Sequence, residues 1–143
     1  MRCPARILVP LPDELRMVWE KLIMNVAFSG VSCFTGFTVG QILSEPNAWG
    51  VAESCVREAA AVAEARGVVL QVGDPIAHVR RLGGKIPAAR PSTPLDHLAL
   101  RRSEIDVING AIPREGAKVG ISAPVNAAVV SLVKAKEVDF PAL

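Results

Sequence analysis

"NAWGVAESCVREAAAVAEAR", residues 47–66, is the stretch that decides the class of fold. Alanine, the strongest helix former, recurs along it. Pro46 stands just ahead, where a fixed φ starts a helix and the missing N–H costs nothing. Gly67 stands just past its end, where glycine commonly stops a helix. A long helix over about 47–66 follows from these signals. Toward the N-terminus, Asp13 can cap a helix over about 13–30, with Leu15, Val18, Trp19, Leu22 and Val26 spaced as one apolar stripe. Gly30 and Gly36 mark a break or a tightly packed crossing, and a short second helix is expected within 31–43.

Toward the C-terminus, Asp74 and Pro75 open a shorter helix over 74–82. The Gly- and Pro-rich run "GGKIPAARPSTP", 83–94, reads as a loop, and helix resumes near 95–101. Ser103 is a plausible cap for "SEIDVINGAIPREGAKVG", 103–120, whose Ile105, Ile108, Ala111 and Ile112 form an inner face. Pro113 predicts a kink or break there, because proline inside a helix costs about 3 kcal/mol. Pro124 begins a last helix to about residue 137, with Val130, Leu132 and Val133 turned inward and lysines near its end, where the helix dipole favours them. No series of alternating strands occurs. The expected fold is all-α.

Composition agrees with close-packed helices. Half of the 143 residues are hydrophobic but only 4% are aromatic, so Ala, Val, Leu and Ile must fill the core. The net charge of +2 is too small to argue for nucleic acid or an anionic membrane. Cys3, Cys33 and Cys55 are odd in number and lack metal-ligand spacing, which argues against a disulfide framework or zinc site and for a reduced, cytoplasmic setting. Residues 22–44 carry no formal charge and are long enough to span a bilayer. Their interruptions, among them Asn25, Ser29, Ser32 and three glycines, favour a buried helix and turn instead. The basic run His78, Arg80, Arg81, Lys85 and Arg90 falls across a helix and a loop and reads as solvated surface.

Chemistry-bearing residues gather in three places. In "WEKLIMN", 19–25, Lys21 and Asn25 stand four apart, and with Ser29 and Ser32 they form a polar line along one helical sector. Burying such groups unpaired is costly, so the line needs partners, water or a ligand. One reading is a snorkelling lysine at a helix crossing. The other is a ligand-facing stripe with lysine as proton donor or anion anchor. "PSTPLD", 91–96, places Ser92 and Asp96 at a loop-to-helix junction, and "RRSEIDVING", 101–110, places Glu104 and Asp106 at a helix start. Each has a plain capping or dipole explanation.

Together with "GISAPVNAAVVSLVKAKE", 120–137, these words in this order resemble the C-terminal domain of the ketopantoate reductases (2-dehydropantoate 2-reductases) over roughly residues 14–137. The resemblance implies a bundle-like helical domain of the 6-phosphogluconate dehydrogenase C-terminal type over 13–138, with a lead-in at 1–12 and a tail at 139–143. It implies a part in reducing 2-dehydropantoate to pantoate with NADPH, on the way to pantothenate and coenzyme A. Lys21 stands at the position of the family's catalytic lysine and Glu104 at its active-site glutamate. Asn25 and Ser92 match substrate-binding positions. Ser29 replaces a second asparagine of many relatives, and Asp96 is added as a substrate-side candidate beside Ser92. Thr93, Pro94 and Leu95 depart from the family's usual Met-Leu-Gln, and Pro113 replaces an ordinary helix residue.

No Gly-x-Gly-x-x-Gly occurs in the 143 residues, and "RLGGKIP" lacks the spacing of a phosphate loop. NADP(H) binding is therefore expected to need a Rossmann-type domain, supplied in cis or in trans, and the 143 residues alone are expected to be inactive. Uncovering the apolar wall that meets such a domain would favour a homodimer. The alternative is a non-catalytic helical association or ligand-binding module derived from the same family. A DNA-binding domain has no basic stripe to support it.

Overall fold

The structure, a computed structural model, describes residues 13–91 and 102–140. Six α-helices and one 3₁₀ turn make up its regular elements, and the described residues contain no strand: α1 Asp13–Thr35, α2 Val39–Ser44, α3 Pro46–Ala65, α4 Pro75–Gly83, the 3₁₀ turn Ile105–Val107, α5 Ala111–Val119 and α6 Pro124–Lys136. The all-α expectation holds. No helix among the described residues is long and apolar enough to cross a membrane.

α1 is the axis of the fold, about 34 Å long at the usual rise per residue. It packs against α3 along much of that length and against α6 near its C-terminal half. Every residue from Val26 to Cys33 is buried. Of the two readings of Gly30, a break or a tightly packed crossing, the break does not occur: the helix runs on to Thr35. Gly30 marks a crossing instead, because a Cβ there would lie 2.1 Å from Val129 Cγ1 of α6. Gly36, at φ 70°, ends the helix in the left-handed region that glycine adopts without strain. Two glycines thus predict opposite signs. Gly30→Ala should destabilise by about 1–3 kcal/mol through overpacking. Gly50→Ala, on an exposed face of α3 with nothing within 4 Å, should stabilise by up to about 1 kcal/mol. Thermal unfolding of the two variants separates them.

Local chemistry explains the other boundaries. Thr38 and Gln41 form a reciprocal capping box at the start of α2. Glu45 caps α3, accepting from Ala48 N at 2.6 Å, and Asp74 caps α4, accepting from Ile76 N at 2.9 Å. The loop after α4 folds back onto α2, where Val39 N and Gly40 N donate to the carbonyls of Ala89 and Pro87. Arg90 then donates to the Gly36 carbonyl. Arg80 lies over the Trp49 ring at 4.6 Å. Two members of the basic run are therefore engaged in holding the surface together.

The expected helix over 103–120 is two elements. Ser103 caps neither: its N–H and hydroxyl both donate to Glu137 Oε1, at 2.8 and 2.7 Å. The break falls at Ile108–Gly110, ahead of Pro113. Pro113 sits in the first turn of α5, where its missing N–H would have had no partner within the helix. The expected inward face of α6 is also narrower than its sequence suggests. Val133 is fully buried, whereas Leu132 is 55% exposed. The helix expected near 95–101 lies outside the described residues.

Candidate functional site

The polar line on α1 changes depth along its length. Lys21 and Asn25 are exposed, while Ser29 and Ser32 are buried. The helical period places all four in one sector. The N-terminal half of that sector faces solvent, and the C-terminal half runs into the packed zone under α6. Ser32 Oγ donates to the Phe37 carbonyl at 2.6 Å and so closes the turn after α1.

Lys21 and Asn25 line a cleft of about 390 Å³. One wall is α1, with Leu15, Val18, Trp19 and Leu22 beside them. The opposite wall is the end of the 3₁₀ turn, Val107 and Ile108, followed by Ala111 and Glu115 of α5. Arg66, just past α3, completes it, paired with Glu115, whose other oxygen accepts from Lys118 at 3.2 Å. Val18, expected on the buried stripe, is 59% exposed and forms part of this wall.

Of the remaining candidates, Ser29 is 3% exposed and does not line the cleft. Glu104 is exposed, immediately before the 3₁₀ turn, and among the described residues no ion pair joins it to Lys21. Ser92 and Asp96 lie outside the described residues.

Several residues that the sequence did not single out hold this arrangement. Asn109 Nδ2 donates to the Val26 carbonyl at 3.1 Å and to Asn126 Oδ1 at 2.9 Å. That bond fixes the end of the 3₁₀ segment against α1, one residue from Asn25. Asn126 Nδ2 donates to the Cys55 carbonyl at 3.1 Å and to Glu58 Oε1 at 3.0 Å. Glu58 also accepts from Val125 N and Asn126 N at 3.0 and 2.8 Å, so a carboxylate on α3 caps α6. Asp106 pairs with Lys134 at 3.1 Å, and Glu137 holds Ser103. The segment carrying Glu104, Val107 and Ile108 is clamped on both sides of each. Asn109 and Asn126 lie inside the quoted words "RRSEIDVING" and "GISAPVN", yet their partners are many residues distant, so no local spacing identified their job.

Glu20, one residue before Lys21, accepts from Gln71 N at 2.9 Å and from Arg16 at 3.0 Å. Burial raises its carboxyl, but the Gln71 N–H and the Arg16 guanidinium outweigh this and hold it below the usual carboxylate range. A depressed folded-state value stabilises the fold above the unfolded value, and this is lost as pH falls through the folded one. Glu20→Gln should therefore be less stable than the parent at neutral pH. That deficit should shrink as acid protonates the parent's carboxyl, which pH-dependent denaturant titration would reveal. Burial pushes the Cys33 thiol up to about 11 and the Cys55 thiol up to about 12, so neither is poised as a thiolate nucleophile.

Residues 13–137 match the family described as "Ketopantoate reductase PanE/ApbA C terminal". A 2-dehydropantoate 2-reductase of Pyrobaculum aerophilum is 34% identical over 119 residues, covering 83% of this chain and 42% of the relative. One from Caulobacter vibrioides is 34% identical over 138 residues, covering 92% of this chain and 47% of the relative. Among solved structures, a PanE/ApbA family ketopantoate reductase from Ralstonia eutropha JMP134 superposes with a TM-score of 0.78 at 35% identity, over 85% of this chain and 40% of that one. D-mandelate dehydrogenase, solved with NADH and anilino(oxo)acetate, superposes with a TM-score of 0.79 at 28% identity, over 89% of this chain and 53% of that one. The chain thus spans less than half the length of these curated relatives.

Proposed function

Because the chain belongs to the ketopantoate reductase family, matching its C-terminal domain, we propose that it forms the substrate-binding and proton-donating half of an NADPH-dependent 2-oxo acid reductase, with 2-dehydropantoate as substrate. The observation that carries this is the pair Lys21 and Asn25, one helical turn apart on α1 and facing one apolar-walled cleft.

The chemistry follows from the residues. Reduction of a ketone builds negative charge on its oxygen. An ammonium beside that oxygen stabilises the charge and delivers the proton, which is the role of Lys21. Asn25 offers an amide that orients the oxo acid, and Ser92 a hydroxyl for the same purpose. Glu104, carried by the clamped segment, supplies a carboxylate on the substrate side. Asp96 stands near Ser92 in sequence and is assigned to the same group. Ser29 lies one turn past Asn25 in the packed zone, and its share is support of the helix behind the site.

The described residues do not suit the nucleotide. They contain no strand and no glycine-rich phosphate turn, so the dinucleotide is assigned to a separate domain that supplies the hydride. The NADH-bound D-mandelate dehydrogenase structure, which shares this fold, is consistent with a nicotinamide partner. A coupled assay tests the proposal. The 143 residues should not oxidise NADPH with 2-dehydropantoate, and adding the nucleotide-binding domain of a relative should restore oxidation. Activity of the 143 residues alone would contradict the division of labour. Failure of the stably associated pair to turn over any 2-oxo acid would contradict the reductase assignment.

A further inference from the structure

We infer that the Asn109-Gly110 pair is a modification site: its amide deamidates spontaneously when the turn at 105–110 opens, and the product does not fold back. The asparagines of the chain are followed by Val26, Ala48, Gly110 and Ala127. Deamidation begins when the backbone nitrogen of the next residue attacks the asparagine Cγ. Of these four neighbours only Gly110 has no Cβ to shield its nitrogen and is free in φ and ψ. The N–Cγ bond forms, the Cγ–Nδ2 bond breaks, and Nδ2 leaves as ammonia with the proton from the Gly110 nitrogen. Water then opens the cyclic imide at either carbonyl, giving aspartate or isoaspartate at position 109. The fold itself demands this reactive pair. A Cβ at Gly110 would collide with the Asp106 carbonyl, and the Asn109 amide ties α1 to α6.

The closed turn blocks the attack. Asn109 is fully buried, and its Nδ2 is held by the Val26 carbonyl and Asn126 Oδ1 at 3.1 and 2.9 Å. The Gly110 N–H donates to the Ile105 carbonyl at 3.0 Å, so the attacking nitrogen is engaged as well. Opening this short segment does not require the bundle to unfold. Val107 is 60% exposed, and the Asp106–Lys134 pair lies on the surface, where such pairs hold weakly. The Asn109 Oδ1 is buried without a hydrogen-bond partner among the described residues, which weakens the inner anchor. Closing again is different after the reaction. Aspartate at position 109 would set a carboxylate oxygen where Nδ2 stood, against two acceptors and no donor, in a fully buried place. Isoaspartate would add a methylene to the main chain inside the turn. Either product keeps Val107 and Ile108 from rebuilding the cleft wall, whichever substrate the cleft takes.

Peptide mapping by mass spectrometry tests this, on the 143-residue chain incubated at mildly alkaline pH with and without denaturant. In denaturant, Asn109 should convert faster than the other asparagines. In the folded chain it should still convert first, but at least about 10-fold more slowly, as a segment that must open before reacting does. That folded-state rate should stay flat as denaturant rises toward the unfolding transition, because a short segment exposes little surface on opening. Asn126→Ala removes one of the two bonds on Nδ2 and should raise the rate. Gly50→Ala, on α3 and away from the turn, should leave it unchanged. Asn109→Asp, which carries one product from the start, should unfold at lower denaturant than the parent or fail to fold. A folded-state rate that climbs with denaturant as global unfolding does, or another asparagine converting first, overturns the assignment of the site and its gate. Equal rates with and without denaturant overturn the protection. An Asn109→Asp chain as stable as the parent overturns the one-way step.

Discussion

Lys21→Ala, in the chain supplied with a nucleotide-binding domain, should lower kcat by about 10²–10⁴-fold, the usual contribution of a positioned proton donor. The substitution removes the ammonium from an exposed position of α1 and leaves the helix intact, since alanine is the better helix former. Unfolding curves should therefore be unchanged while turnover collapses. Lys21→Arg keeps the positive charge but holds its proton too tightly to give it up. Substrate affinity should survive in that variant and turnover should not. Asn25→Ala should act differently, raising KM more than it lowers kcat, because the role proposed for the amide is to orient the oxo acid in the ground state as well as in the transition state. Steady-state kinetics of the three variants distinguishes the roles.

The largest loss of stability expected from a polar substitution falls on Glu58. Its carboxylate accepts from two backbone N–H groups at the start of α6 and from the Asn126 side chain. Glu58→Ala leaves those donors without their partner in a half-buried place. Hydrogen bonds to a charged group contribute about 1.5–3 kcal/mol each, with shared desolvation making them less than additive. A destabilisation of about 3 kcal/mol is expected from the same range. Asn126→Ala should cost less alone, and the double variant should cost less than the sum, because the two side chains share one network. Chemical denaturation of the four proteins gives the coupling directly. The loss should reach the site as well. Asn109 bonds Asn126 and the Val26 carbonyl, so loosening α6 loosens the wall that Val107 and Ile108 build.

How much of this was legible depends on how local each cause is. α3, α4 and α6 were readable because proline at the start and lysine or glycine near the end are signals carried within the helix itself. Glycine inside a helix signals either a break or a close crossing, and propensity alone does not choose between them, so the helix expected to end near residue 30 is too short. Only the approach of Val129 shows that Gly30 is there to admit another helix. Ser103 and Pro113 misled for a related reason. Both residue types have strong local meanings, as a cap and as a breaker, and here a partner 34 residues away takes Ser103 while the first turn of α5 accommodates Pro113.

The site divides in the same way. The spacing of Lys21 and Asn25 put both on one face, and the structure shows that they share a cleft. Spacing could not show that the sector sinks into the core before Ser29, since depth is set by where α6 crosses. Nor could it reveal the opposite wall or the Glu58–Asn126–Asn109 chain, whose links join residues 17 to 83 positions apart. The family words carried those asparagines without stating what they hold.

The central claim is tested most directly by a crystal structure of this chain assembled with a nucleotide-binding domain, NADP+ and the 2-hydroxy acid product. The account predicts the Lys21 ammonium within hydrogen-bond distance of the product's 2-oxygen, on the order of 3 Å, with Asn25 on the same molecule. Product bound elsewhere, with Lys21 left in open solvent, would contradict it.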